Sequence, residues 1–224
     1  LTTKQVAWKT CIRELLWFIS GDTDNETLTK NNVKIWNGNA DEDFKKSRGL
    51  EYENKGDLGP IYGHQWRHFN AQYNDCKSDY SNQGIDQLQN IIDTLKDPEE
   101  KFSRRLIMSA WNPCQLDEMA LPPCHVLTQY HVNKKDELSC LLFQRSGDVG
   151  LGIPFNMASY GILTCLLAQH TGLRPGRLIH VIGDAHIYES HIPQLKEQVE
   201  RVSFPSPILT IGKKNTIDDY VLAD

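Results

Sequence analysis

The sequence predicts one α+β domain. Helix-spaced apolar segments and short strand-like runs share a chain of 224 residues with 39% hydrophobic content, and no internal repeat, linker or low-complexity tract divides them. The net charge is −5, from 24 Lys and Arg against 29 Asp and Glu, so no general basic field draws in DNA or an anionic membrane. An anionic ligand has to be held by local arginines. No run of 18 apolar residues occurs and Leu1-Thr2-Thr3-Lys4-Gln5 resembles no signal peptide, which leads us to expect a soluble, cytoplasmic protein, with the nucleus also open. The six cysteines form no C-x-x-C pair and no regular framework, so reduced thiols are expected. A zinc site on Cys114, Cys124, His125 and His131 matches no common structural spacing, and no metal is assigned.

Thr2 to Gly21 reads as a helix: Trp8, Ile12, Leu15, Leu16 and Ile19 recur at helical spacing, Thr2-x-x-Gln5 supplies a capping box and Gly21 the stop. Glu14 falls on the stripe of Ala7, Cys11 and Phe18. Desolvation there raises a carboxyl pKa and suits the group to proton relay, unless a Lys or Arg pairs with it at the edge of the buried face. Residues 22 to 59 are polar and acidic and read as surface loop around the knot Val33-Lys34-Ile35-Trp36; Trp36 either plugs the core or offers a flat face to a ligand. Gly56 to Gly63 is a glycine-rich turn with neither P-loop nor dinucleotide spacing, in which the Tyr62 ring faces a cleft or packs.

Residues 70 to 84 read as a polar insertion. Ile85, Leu88, Ile91, Ile92 and Leu95 then mark a helix that Asp97-Pro98 ends, and Leu106 to Ala110 a strand. Arg104 and Arg105 precede that strand, either as surface charge or as a guanidinium pair for a phosphate. Val126 to Val132 and Leu138 to Gln144 pair as a hairpin through Asn133-Lys134-Lys135-Asp136, after which Gln144 to Asp148 exposes several chemistries beside a flexible glycine. Pro154 to Gly172 is a core helix built on Met157, Tyr160, Leu163, Leu166 and Leu167, with Asn156 in its first turn as a cap or a ligand contact. Arg177 to Gly183 is a strand, Ile192, Leu195, Val199 and Val202 line an amphipathic helix, and Pro207 to Ile211 forms the last strand.

Leu121-Pro122-Pro123-Cys124-His125 joins a polar segment to an apolar, alternating one. Each proline ring locks φ and Pro123 restricts the residue before it, so Cys124 sits on stiff backbone at a strand entrance. A thiol so held is a nucleophile once a nearby cation, base or helix N-terminus favours the thiolate, and Arg145 is the candidate cation. On these residues alone a buried structural cysteine is the competing reading.

Six motifs in order, Glu14-Leu15-Leu16-Trp17-Phe18, Gly56 to Gly63 with Gln65-Trp66-Arg67, Leu121 to His125, Gln144 to Asp148, Gly152 to Asn156 and Gly183 to Tyr188, resemble the thymidylate synthase family along essentially the whole chain. The insertions around residues 41 to 55 and 70 to 84 resemble those of its eukaryotic members. The resemblance implies a mixed sheet covered by helices and a homodimer packed sheet to sheet. It implies reductive methylation of dUMP to dTMP, with 5,10-methylenetetrahydrofolate as both one-carbon donor and reductant and no metal. Cys124 becomes the nucleophile at carbon 6 of the uracil, with Arg145 favouring its thiolate. Glu14 and Tyr62 order the water that removes the proton from carbon 5, and His125 and Asp148 join the catalytic set. Gln144, Arg145, Ser146, Gly147, Asp148, Asn156, His186, Ile187 and Tyr188 are assigned to dUMP, and Glu14, Trp36, Asn39, Asp148 and Phe155 to folate. Arg104 and Arg105 are assigned across the homodimer, to the phosphate in the other subunit's site.

Members of the family carry a further N-terminal segment with a phosphate-binding arginine loop and a C-terminal tail over the folate. Residues 1–224 are therefore expected to be a catalytic domain incomplete at both ends. Two other readings accompany this one: a hydroxymethylase of the same fold, which traps the one-carbon unit with water, and a non-catalytic interaction subunit that binds RNA or protein.

Overall fold

The computed structural model describes residues 2–222, in which four strands form one sheet in the order β1 (Ile107–Ser109), β2 (His125–Val132), β3 (Glu137–Asp148) and β4 (Arg174–His186). β1 and β3 both run antiparallel to β2, whereas β4 lies parallel to β3, so the sheet is mixed. The hairpin is as predicted, with Val132 opposite Leu138 and Asp136 at φ 56° in the turn. Parallel pairing of β3 and β4 requires a crossover, and α7 (Gly152–Thr171) supplies it. That helix ends on Gly172 at φ 76°, the left-handed position that glycine takes without steric cost.

One face of the sheet is covered. α1 (Trp8–Ile19) packs on α7 and on α5 (Tyr62–His68), and α6 (Gln87–Lys96) on α5 and β1. Between them Leu15, Phe18, Trp66, Met108, Leu142 and Leu163 are buried in one core. On the other face, side chains in register across the strands stay partly open: Leu127 beside Phe143 and Val181, and Leu141 beside Ile179. Ile107, Ile179 and Val181 there are 47%, 42% and 43% exposed.

Several elements differ from expectation, each for a local reason. The first helix begins at Trp8, not Thr2, because the early residues are engaged elsewhere: the Thr2 carbonyl accepts from Phe204 N at 2.8 Å and the Thr3 hydroxyl from Gln198 at 3.2 Å. Trp8 itself is exposed. The segment from 22 to 59 is not mainly loop but holds α2 (Asn25–Lys30), α3 (Asn37–Ala40) and α4 (Glu42–Ser47). Asp24 and Asp41, both inside the stretch read as surface loop, cap α2 and α4 by accepting from main-chain N–H groups. The insertion from 70 to 84 lacks regular helix or strand, yet Ala71, Tyr73 and Tyr80 bury themselves beside Tyr52, and Tyr73 donates to the buried Asp57 carboxylate at 2.7 Å.

Gln144 to Asp148 continues β3 rather than flexing. α8 (Ile192–Val199) is present but buries no residue, Val202 lies beyond it, and Met157 of α7 is 41% exposed. Pro207 to Ile211 is not a strand: Pro205 and Pro207 offer no N–H, and Ile208 is 94% exposed.

Two glycines of similar φ should respond differently to alanine. At Gly172 an added Cβ meets nothing within 4 Å, whereas at Gly59, φ 75°, it would lie 2.0 Å from the Glu118 carbonyl oxygen. In chemical denaturation Gly172→Ala should cost about 1 kcal/mol, and Gly59→Ala about 3 kcal/mol or more.

Candidate active site

The end of β3, the first turns of α7 and the stiff segment before β2 converge on an open cavity of about 450 Å³, within the range of small-ligand sites. Cys124 lines it, half-buried. Its backbone is held from two sides. The Cys124 N–H donates to Tyr62 Oη at 2.8 Å, and the Arg145 guanidinium donates to the carbonyls of Pro123 and Pro122, both at 2.9 Å. The proline pair thus leaves two carbonyls free for a planar guanidinium to grip. Arg145 itself does not line the cavity, since it follows Gln144 on β3 and so points to the opposite face. Its ring neighbour there is Trp111, at 5.9 Å.

Glu14 is 7% exposed on α1, and its partner is not a Lys or Arg but the Trp36 indole, whose N–H donates to Oε1 at 2.7 Å. Burial pushes the carboxyl up to about 7, against the indole hydrogen bond that lowers it. Trp36 plugs the core, 7% exposed, and also lines the cavity with Ile35 and Asn39. Tyr62 opens α5, buried, and burial followed by the nearby Cys124 keeps its phenol protonated.

Polar groups converge from β3 and α7. Asn156 is 9% exposed, and its Oδ1 accepts from Gln144 Nε2 at 2.9 Å; it lies in the helix body and does not cap it. Asp148 accepts from the N–H groups of Gly150 and Leu151 at 2.9 and 3.1 Å and pairs with His191 at 3.2 Å. Burial opposes its ionisation, but these donors hold it below the usual carboxylate range. His125 is pushed down to about 3 by burial, so its imidazole is neutral at physiological pH. Ser146 and Gly147 line the wall, Phe155 projects from α7, and His186 and Tyr188 stand edge to face at 5.3 Å on the far side.

Of the predicted site residues, Ile187 points away, 51% exposed, and Arg104 and Arg105 are exposed before β1 and outside the cavity. Sequence reasoning missed Leu151 and Leu121 on the wall and the contacts of His191 and His180 behind it. Leu151 carried a signal, an apolar residue between two glycines; His191 carried none, because 43 residues separate it from Asp148. Among the described residues no cluster of His, Cys, Asp and Glu could hold a metal, and no helix is long and apolar enough to cross a membrane.

The family model for thymidylate synthase matches residues 1–224. The chain belongs to the thymidylate synthase family. It is 55% identical to a human thymidylate synthase over the whole of this chain and 71% of that protein, and 52% identical to one from human herpesvirus 8, of which it covers 67%. It is also 51% identical to a bifunctional dihydrofolate reductase-thymidylate synthase of Leishmania amazonensis, of which it spans 43%. These relatives all carry the thymidylate synthase name, and they do not favour the hydroxymethylase or the non-catalytic reading.

The Glu14 carboxyl ties this thymidylate synthase site to pH. Between the ordinary 4.5 and about 7 the folded chain keeps a proton that the unfolded chain has released, so rising pH destabilises the fold across that window. Relative to Glu14→Gln, the wild type should lose about 2 to 3 kcal/mol between pH 4.5 and 8 by denaturant titration. Equal slopes for the two proteins would mean that Glu14 ionises freely in the fold.

Proposed function

We propose that the chain catalyses the reductive methylation of dUMP to dTMP. The observation that carries this reading is one cavity shared by a thiol on stiff backbone, a buried carboxamide and a buried carboxyl: Cys124, Asn156 and Glu14. Cys124 adds its thiolate to carbon 6 of the uracil, and the electron pair released moves toward carbon 5 and the carbonyl at position 4. The carboxamide of Asn156 meets that carbonyl and the adjacent ring N–H. Glu14, titrating near neutrality, is suited to the proton that leaves carbon 5, and Tyr62 stands beside it. His186 and Tyr188 take the deoxyribose hydroxyl, and Ser146 the phosphate end.

The cavity also suits a folate. Trp36 and Phe155 offer flat apolar surface, Leu151 and Ile35 extend it, and Asp148 and Asn39 supply acceptors for ring N–H groups. Methylenetetrahydrofolate supplies both the one-carbon unit and the hydride when bound. The six cysteines are free, which suits a reducing, cytoplasmic compartment.

We take the open apolar face of the sheet to be covered by a second copy of the chain. Leu127, Leu141, Phe143, Ile179 and Val181 line up across three strands there, a surface of the kind that obligate dimers bury. Arg104 and Arg105 stand exposed where β1 begins, two to three residues before Ile107 on that face, and so are free to reach the partner's phosphate.

Cys124→Ser should abolish release of dihydrofolate while calorimetry still detects dUMP binding, because a hydroxyl is far less ionised than a thiol. Near-normal turnover would leave Cys124 a packing residue. Arg105→Ala and Cys124→Ala homodimers should each be nearly inactive, yet on subunit exchange activity should return at roughly one site in four. Absence of recovery after verified exchange would place the arginines in their own subunit's site or in none.

A further inference from the structure

His180 lies on β4 opposite Leu142, and its Nε2 is 2.8 Å from Gln144 Oε1. Gln144 is 2% exposed, and its Nε2 donates both to the main-chain carbonyl of Ser146 and to Asn156 Oδ1, each at 2.9 Å. A main-chain carbonyl can only accept. The Gln144 amide is therefore fixed one way round, nitrogen toward Ser146 and Asn156 and oxygen toward His180. Two assignments follow: His180 carries its proton on Nε2, and Asn156 turns its oxygen to Gln144 and presents its NH2 group elsewhere. Burial lowers the His180 pKa, so the neutral ring with a single N–H is the form to consider.

We infer that His180 is a positioning residue for base selection, holding the Asn156 amide through Gln144 in the orientation that fits uracil and not cytosine. This rests on the reading that Asn156 faces the base. Uracil needs a donor for its carbonyl at position 4 and an acceptor for its ring N–H; cytosine reverses both. To suit cytosine the Asn156 amide must flip, which sets its nitrogen against Gln144 Nε2. If Gln144 flips in turn, its oxygen meets the Ser146 carbonyl and its nitrogen meets the His180 N–H. Each flip buries like against like, so the relay resists as a unit. His180 supplies one of these opposing contacts without touching the nucleotide.

The test compares dissociation constants for dUMP and dCMP by calorimetry in wild type, Asn156→Asp, His180→Met and His180→Gln. Methionine fills the site without a donor, so the preference for dUMP should fall about tenfold, the effect of one buried unpaired group. Glutamine still offers an N–H and should recover most of the preference. In wild type, the imidazole 15N shifts of His180 should report the Nε2–H tautomer at neutral pH, a measurement independent of whether the variants fold. If Asn156→Asp leaves the preference unchanged, the base-reading role of Asn156 falls and this inference with it. If Asn156→Asp moves the preference while His180→Met does not, or if the ring is the Nδ1–H tautomer, only the role of His180 is overturned.

Discussion

Strand β3 divides the molecule, and the two-residue period of its side chains is the constraint on which the rest depends. Leu138, Cys140, Leu142 and Gln144 turn toward the helices and are buried, whereas Leu141, Phe143 and Arg145 turn to the open face. The same alternation that fills the core delivers Gln144 to Asn156 and sends Arg145 round to grip the proline carbonyls beneath Cys124. A slip of one residue would exchange the two sets, putting a guanidinium in the core and a carboxamide on the outside. Pairing with β2 on one side and β4 on the other prevents that slip.

The charge distribution of the cavity follows from burial. Glu14 titrates near neutrality and His125 is neutral, so the deepest groups put little fixed charge on the site. Asp148 is ionised because two main-chain N–H groups and His191 meet its oxygens near the mouth. In a chain of net charge −5, no lysine or arginine among the described residues lines this cavity, so its walls carry no basic field of their own.

Periodic elements were legible in the sequence because their burial is one-sided: the hairpin through residues 133 to 136, the long core helix and the helix read from Ile85 to Leu95 lie where periodicity put them, except that Ile85 itself falls before the helix, pairs with Phe69 and is 53% exposed. The short helices capped by Asp24 and Asp41 were not, since one aspartate serves a turn and an N-cap alike and only the following N–H groups decide. Pro207 to Ile211 had strand composition, but a strand is a relation between two segments and its sequence holds only one. Cys124, Glu14, Tyr62 and Asn156 were found through motifs and do share a cavity. The contacts behind them, Trp36 on Glu14 and His180 on Gln144, link residues 22 and 36 positions apart, and nothing in local composition marks such pairs.

The Tyr62 hydroxyl has a consequence for solvent. Its oxygen accepts from the Cys124 N–H at 2.8 Å and from the His125 N–H at 3.4 Å, which occupies both of its lone pairs. What remains for the cavity is the O–H alone, on a phenol that burial keeps protonated. A water molecule meeting Tyr62 is offered a hydrogen and no oxygen, so it must turn its own two hydrogens away, toward groups such as the Glu14 carboxyl. The backbone that steadies the thiol thereby leaves Tyr62 facing the cavity as a donor alone, an end at which a chain of hydrogen bonds can start.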